Sequence, residues 1–167
     1  NGQRKVAGFN KFHKPQISLN HYWNINEKSS LSTAFYVSIG RGGGYRGQGI
    51  SPYKNSWYAT ALDGTLNTQF RAADGTFDYA AIYELNMNSE NGSQMAMSNN
   101  LNNHEWYGLL STYTTQLGKY FNLYGGLDIR YYKGTHKAKL VDLYGGEYYV
   151  DSESRKDVKA VNNYKAA

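Results

Sequence analysis

A chain of 167 residues with no Cys, 2 Pro and a formal net charge of +5 is the size of one domain and excludes a disulfide scaffold, a zinc ribbon and thiol catalysis. With 17 Tyr, 40% apolar and 19% charged residues, it is too aromatic and too weakly charged to be disordered. Its apolar runs, such as Ala34-Phe35-Tyr36-Val37, are a few residues long, far short of the roughly 20 that a membrane helix needs.

Asn1-Gly2-Gln3-Arg4-Lys5-Val6 is polar and lacks the apolar stretch of a signal peptide, and Asp151 to Ala167 is charged without alternation. Both ends read as cuts within a longer protein. From Gln16 to Ile25 one face carries Ile17, Leu19, Trp23 and Ile25, and the other Gln16, Ser18, Asn20, Tyr22 and Asn24. From Ser30 to Gly40 Leu31, Phe35, Val37 and Ile39 alternate with Ser30, Ser32, Ala34, Tyr36 and Ser38. This period of two predicts strands over 16–25 and 30–40, joined by a short turn at Asn26-Glu27-Lys28-Ser29.

Residues 41–103 read as one long excursion. It holds Gly42-Gly43-Gly44, strand-like pieces near Trp57–Leu62 and Thr65–Phe70, and the pairs Asp63-Gly64 and Asp74-Gly75, which suit hairpin turns because both positions tolerate φ > 0. A connection of that length is expected to be functional or to have its own structure. Alternation returns over 105–117, with Tyr107, Leu109, Tyr113, Thr115 and Leu117 on one face, blurred by Trp106 and Leu110 on the other. After a tight turn at 118–121, the run 122–133 places Leu123, Leu127, Ile129 and Tyr131 opposite Asn122, Tyr124, Asp128, Arg130 and Tyr132. A second long stretch covers 134–167, with a hairpin expected between Leu140–Tyr144 and Glu147–Val150.

The expected fold class is therefore all-β: antiparallel strands with short turns at one end and long loops at the other. That asymmetry, with apolar residues outward and polar residues inward, is the pattern of a transmembrane outer-membrane β-barrel. Asp128 and Arg130 lie mid-strand on the polar face, where a lumen accommodates them; on a lipid face Arg at mid-depth costs about 2–4 kcal/mol. Tyr107, Tyr131 and Trp23 lie near strand ends, as in the aromatic girdles at membrane interfaces. A soluble β-sheet domain binding carbohydrate or protein is the alternative, and a secreted β-sheet hydrolase a weaker third. The basic residues are scattered and the densest cluster, His136-Lys137-Ala138-Lys139, is short, so the positive charge does not point to nucleic acid.

The run Gly8-Phe9-Asn10-Lys11-Phe12-His13-Lys14-Pro15-Gln16-Ile17-Ser18-Leu19-Asn20-His21 resembles a barrel segment of TonB-dependent receptors of the Bacteroidetes type. So do Ser38-Ile39-Gly40-Arg41-Gly42-Gly43-Gly44-Tyr45 and the stretch from Tyr107-Gly108-Leu109-Leu110-Ser111-Thr112-Tyr113 through Gly126-Leu127-Asp128-Ile129-Arg130-Tyr131-Tyr132-Lys133-Gly134. The resemblance spans most of the chain and is to barrel strands and loops; no TonB box, plug domain or carboxypeptidase-regulatory-like domain is recognised. It implies about four strands of a larger barrel in the bacterial outer membrane, with lipid around it, a plug domain elsewhere in the protein, and the TonB complex as a partner reached through that absent part. The implied function is import of a scarce nutrient (a siderophore, glycan, cobalamin or peptide), without catalytic residues, metal or cofactor. Whether a surface lipoprotein lids the barrel is left open.

Gly42-Gly43-Gly44-Tyr45-Arg46-Gly47 matches G-x-G-x-x-G after a strand, but Gln48-Gly49-Ile50-Ser51-Pro52 follows where a dinucleotide site needs a helix. His13, His21, His104 and His136 show no metal-binding spacing. Turn chemistry accounts for Asp63 and Asp74. The candidate ligand-binding residues are Tyr45, Arg46, Trp57, Tyr58, Tyr79 and Tyr83, whose rings suit sugars or planar cargo. Packing of the excursion on itself explains the same rings equally well. Arg46 and Arg71 could draw an anionic cargo, a preference weakened by Asp63, Asp74, Asp78, Glu84 and Glu90 in the same stretch.

Overall fold

A computed structural model of the chain describes residues 5–61 and 63–151, together with the backbone of Ala160–Val161. Among the described residues the strands are β1 (Asn10–His13), β2 (Gln16–Asn26), β3 (Ser29–Gly49), β4 (Met95–Leu117), β5 (Phe121–Asp142), β6 (Tyr149–Val150) and β7 (Ala160–Val161), with one α-helix, α1 (Tyr79–Met87), and a short 3-10 turn at Tyr53–Asn55. The main sheet runs β1-β3-β4-β5, with β2 also paired to β3, and β6 pairs with β7 separately. The fold is thus all-β and largely antiparallel, and among the described residues the sheet does not close on itself.

Contacts divide the chain into two compact units. The sheet unit comprises Lys11–Gly42 and Asn102–His136. Its first hairpin pairs Ile17 with Val37, Leu19 with Phe35 and Trp23 with Leu31, with a register shift between Asn24 and Asn26 at the turn. The Lys28 N–H donates to Asn26 Oδ1 at 2.9 Å, so the Asn side chain stands in for a backbone partner in that turn. Side-chain pairs carry the register to β4: Ser29 with Thr115 at 2.8 Å, Thr33 with Ser111 at 3.0 Å and Ser38 with His104 at 3.5 Å. One number rises as the other falls, so the pair is antiparallel. Gly118, at φ +68°, makes the turn into β5, and the left-handed backbone there favours glycine.

Period two holds throughout this unit. Odd positions meet odd positions, as in Tyr107 against Tyr131 with ring centroids 6.1 Å apart. Even positions meet even, as in the chain of rings from Tyr36 to Trp106 to Tyr132, 6.2 Å at each step. Ile17, Leu19, Phe35, Val37, Leu123, Leu127 and Ile129 therefore share one face, and Ser18, Asn20, Ser32, Tyr36, Asp128 and Arg130 the other. The apolar face is bare: Ile17 is 69% and Leu19 72% exposed, and Phe35, Leu127 and Ile129 are about half exposed. On the polar face Gly108 leaves room for the Tyr36 ring, which an added Cβ would strike.

The strands are longer than the sequence pattern predicts. β3 continues past 40 to Gly49, β4 begins at Met95 rather than 105, and β5 continues past 133 to Asp142. The expected excursion 41–103 is thus strand at both ends. The reason lies in what flanks these segments. In β3 Gly42 receives Phe12, Gly44 receives Asn10 and Gly47 receives the Trp57 indole, so glycine seats replace alternation. In β4 Met95, Ala96 and Met97 are all buried, and a strand covered on both faces shows no period of two. β1 is an added strand, separated from β2 by Lys14-Pro15. The expected hairpin of 140–144 with 147–150 is not formed: β6 pairs with β7 instead. Residues 152–159 and 162–167 of the expected stretch 134–167 lie outside the described residues.

Candidate functional site

The helix-bearing unit comprises Asn1–Asn10, Gly43–Leu101 and Lys137–Ala167. Two Asp-Gly-Thr turns lead into its helix. In each, the Asp side chain accepts from the Thr backbone and hydroxyl: Asp63 from Thr65 at 3.0 and 2.7 Å, and Asp74 from Thr76 at 3.0 and 2.6 Å. The Thr hydroxyls lead in holding both carboxyls below the usual carboxylate range. Gly75 N–H donates to Ala72 O and Ala72 N–H to Thr76 O, with Gly75 at φ +83°. Only the glycines, not the aspartates, take positive φ. The turns are therefore three-residue loops closed by a left-handed glycine rather than the two-residue kind that the Asp-Gly pairs suggest.

Asp78 caps α1 by accepting from Ala81 N–H at 3.0 Å. The helix points Ile82 and Asn86 inward. Ile82, Met95, Met97 and Tyr144 form the core, with Tyr45, Tyr53, Trp57, Phe70, Phe77, Tyr79, Tyr83 and Leu85 packed around it. Asn86 acts as a hub. Its Nδ2 donates to the carbonyls of Met95, Leu143 and Tyr144 at 2.8, 2.9 and 3.2 Å, and its Oδ1 accepts from Gln94 and Met95 N–H at 2.9 and 3.1 Å. These bonds hold Tyr144 at φ +46°, a conformation that costs a non-glycine residue. The Tyr144 ring lies 5.7 Å from Trp57, 5.6 Å from Tyr79 and 5.8 Å from Tyr83. Burial pushes the Tyr144 and Tyr79 phenols upward, so both stay neutral.

Of the six candidate residues, Tyr45, Trp57, Tyr79 and Tyr83 pack against this core, whereas Tyr58 and Arg46 are exposed. Trp57 Nε1–H donates to Gln48 O at 2.9 Å, and the Tyr79 hydroxyl is buried with no hydrogen-bond partner among the described residues. Arg71 is occupied: its guanidinium lies 3.6 Å over the Phe77 ring and donates to the carbonyls of Tyr58, Gln69 and Phe70. The G-x-G-x-x-G match lies within β3.

Two groupings escape the sequence pattern. One is the ring set on the polar face of the sheet unit, where His104 lies 6.2 Å from Tyr132 and continues the Tyr36–Trp106–Tyr132 row. The even positions of 105–117 and 122–133 carried that signal. Near it Arg130 Nε donates to Asp128 Oδ1 at 2.9 Å, and a second bond runs from Nη2 to Oδ2. The two mid-strand charges thus neutralise one another. The other grouping is Lys5 with Asp142, Tyr83 and Tyr144, brought together from distant parts of the chain.

No family model matches this chain. No curated protein matches it. Among solved structures, a cryo-EM structure of the gasdermin A3 membrane pore aligns at a TM-score of 0.26 and 9% identity, over 86% of this chain and 56% of that one. The chain thus spans about half of that structure, and at this TM-score the likeness establishes neither fold nor function.

Proposed function

We propose that the chain is part of an outer-membrane receptor of the TonB-dependent kind, a β-barrel that binds a scarce nutrient at the bacterial surface and imports it. The observation that carries this reading is the sheet unit: antiparallel strands with one continuous bare apolar face and one polar face. Lipid covers such a face without a second protein layer, and a lumen solvates the other. A soluble sheet must instead bury Ile17, Leu19, Phe35, Leu127 and Ile129, which are exposed here. Dimensions agree with the membrane reading. Phe121 and Tyr131, both aromatic and on the apolar face, are separated by about 34 Å along the strand, or about 26 Å of height at a tilt of about 40°. The apolar band of such barrels is about 25 Å tall between its aromatic girdles.

In this reading the helix-bearing unit supplies contacts to cargo. Tyr58 and Arg46 are its outward candidates, while Tyr45, Trp57, Tyr79 and Tyr83 hold its shape. The Tyr36–Trp106–Tyr132 row lines the path through the lumen.

The test excises residues 51–93 from the intact receptor. The ends are already adjacent, since Ile50 N–H donates to Gln94 O at 2.9 Å, so an Asn-Gly turn can replace the segment and leave β3 and β4 whole. Uptake and surface binding are then measured for a ferric siderophore, a glycan, a cobalamin and a peptide. The barrel is expected to insert while binding of its cargo falls about tenfold or more, the scale of losing one or more stacked rings. Unchanged binding and uptake of every cargo the intact receptor takes would remove this unit from the binding role.

A further inference from the structure

We propose that Tyr83, Tyr144 and Asp142 form a site for a primary alkylammonium group, occupied in this structure by the chain's own Lys5 and open to an external amine, such as a lysine side chain, when Lys5 leaves. Lys5 Nζ lies 2.7 Å from Asp142 Oδ2 and 3.4 Å from the Tyr83 hydroxyl. It also lies 5.7 Å from the ring centroids of both Tyr83 and Tyr144. A carboxylate, a phenol oxygen and aromatic rings around an ammonium are the chemistry by which proteins recognise organic cations.

The receiving half of the site is built without Lys5. Asp142 Oδ1 accepts from Tyr144 N–H at 2.8 Å, which leaves Oδ2 aimed at the ammonium. Tyr144 is fixed by the Asn86 amide and the surrounding rings, and Tyr83 by α1. The Tyr79 hydroxyl, buried without a hydrogen-bond partner among the described residues, is within electrostatic reach of both Lys5 and Asp142. The lysine half is held less firmly. Lys5 lies outside any strand or helix, and its side chain keeps 29% of its surface exposed against 21% for Asp142. A cavity of about 250 Å³ opens beside the same groups, lined by Tyr83, Asp142, Leu143, Tyr144, Gly145 and Gly146. It offers space for the stem of an incoming amine. Glycine at 145 keeps it open, because φ is +87° there and an added Cβ would meet Met87 and Tyr83 at 2.9 and 3.0 Å. A part-exposed ion pair of this kind is weak enough to be displaced by competition.

The test titrates n-butylammonium, with n-butanol as the neutral control at matched ionic strength, into the full chain in detergent micelles. Binding is followed by NMR on the ring resonances of Tyr83 and Tyr144, assigned with Tyr83→Phe and Tyr144→Phe. Lys5→Ala is expected to bind butylammonium at least about tenfold more tightly than the unaltered chain, the factor by which a site occupied about nine-tenths of the time lowers apparent affinity. Adding Asp142→Asn to Lys5→Ala is expected to abolish the response. Equal affinity in Lys5→Ala and the unaltered chain, or shifts no larger than those from butanol, would overturn the proposal and leave Lys5 as a tether. Should Lys5→Ala lose the dispersed ring resonances, Lys5→Gln replaces it; there, recovery of dispersion on adding butylammonium supports the site and failure to recover rejects it.

Discussion

Replacing Asn86 by Ala is expected to unfold the helix-bearing unit locally. Asn86 is 1% exposed and its single amide bonds to five main-chain groups on two segments, 94–95 and 143–144. Leu143 O keeps other donors, Ser93 Oγ at 2.8 Å and Gly146 N–H at 3.2 Å. The N–H groups of Gln94 and Met95 and the carbonyls of Met95 and Tyr144 lose their Asn86 bonds. At about 1 kcal/mol or more for each buried group left unpaired, the loss is about 3–4 kcal/mol, a large share of a typical domain's stability of about 5–15 kcal/mol. The positive φ of Tyr144 loses its restraint at the same time. Hydrogen exchange at Ile82, Met95 and Met97 should accelerate by about two to three decades, at about 1.4 kcal/mol per decade. Asn88→Ala, on the exposed end of the same helix, should change exchange by less than about threefold, the scale of a neutral surface substitution. Equal rates in the two variants would contradict the hub.

Leu127→Arg is expected to impair assembly of the intact barrel in lipid, whereas Thr112→Arg is not. Leu127 shares the apolar face with Leu123 and Ile129, and Gly126, beside it in β5, faces Thr112 on β4, which places both substitutions at similar depth on opposite faces. Arg at mid-membrane on a lipid face costs about 2–4 kcal/mol, or roughly 30- to 1000-fold in the folding equilibrium; on the lumen face of the proposed barrel, which carries the Asp128–Arg130 pair, the charge would be accommodated. Denaturant titration of each variant in lipid vesicles reads the difference. Equal losses from the two variants, or a larger loss from Thr112→Arg, would contradict the assignment of Leu127 to the lipid face.

What the sequence disclosed follows from which surfaces each segment buries. β2 and the first half of β3 have one apolar and one polar face, so Ile17, Leu19, Phe35 and Val37 revealed both the strands and their register. The turns are held by local chemistry, Asn26 in the β2–β3 hairpin and Gly118 between β4 and β5. Alternation vanished where both faces are covered, at Met95-Ala96-Met97, and where glycines seat neighbouring rings, at Gly42, Gly44 and Gly47. α1 is only 9 residues long, with much of its surface packed, so its period is faint. Its one local mark is Asp78, set before Tyr79-Ala80-Ala81-Ile82 as an N-cap. Residue type alone separates neither Trp57 and Tyr79, packed on the core, from the exposed Tyr58, nor an Asn in a turn from the buried Asn86. The Lys5 site depends on pairings more than a hundred residues apart between Lys5 and Asp142, which no local pattern encodes.

The membrane reading rests on the two faces of β5 meeting different solvents. Single cysteines at 127 and 128 of the intact receptor, reconstituted in lipid vesicles, place one probe on each face within one strand. A membrane-impermeant maleimide should label position 128, which points to water, and leave position 127 unlabelled until detergent is added. Equal labelling of both positions, or labelling of 127 in preference to 128, would contradict the assignment of the apolar face to lipid.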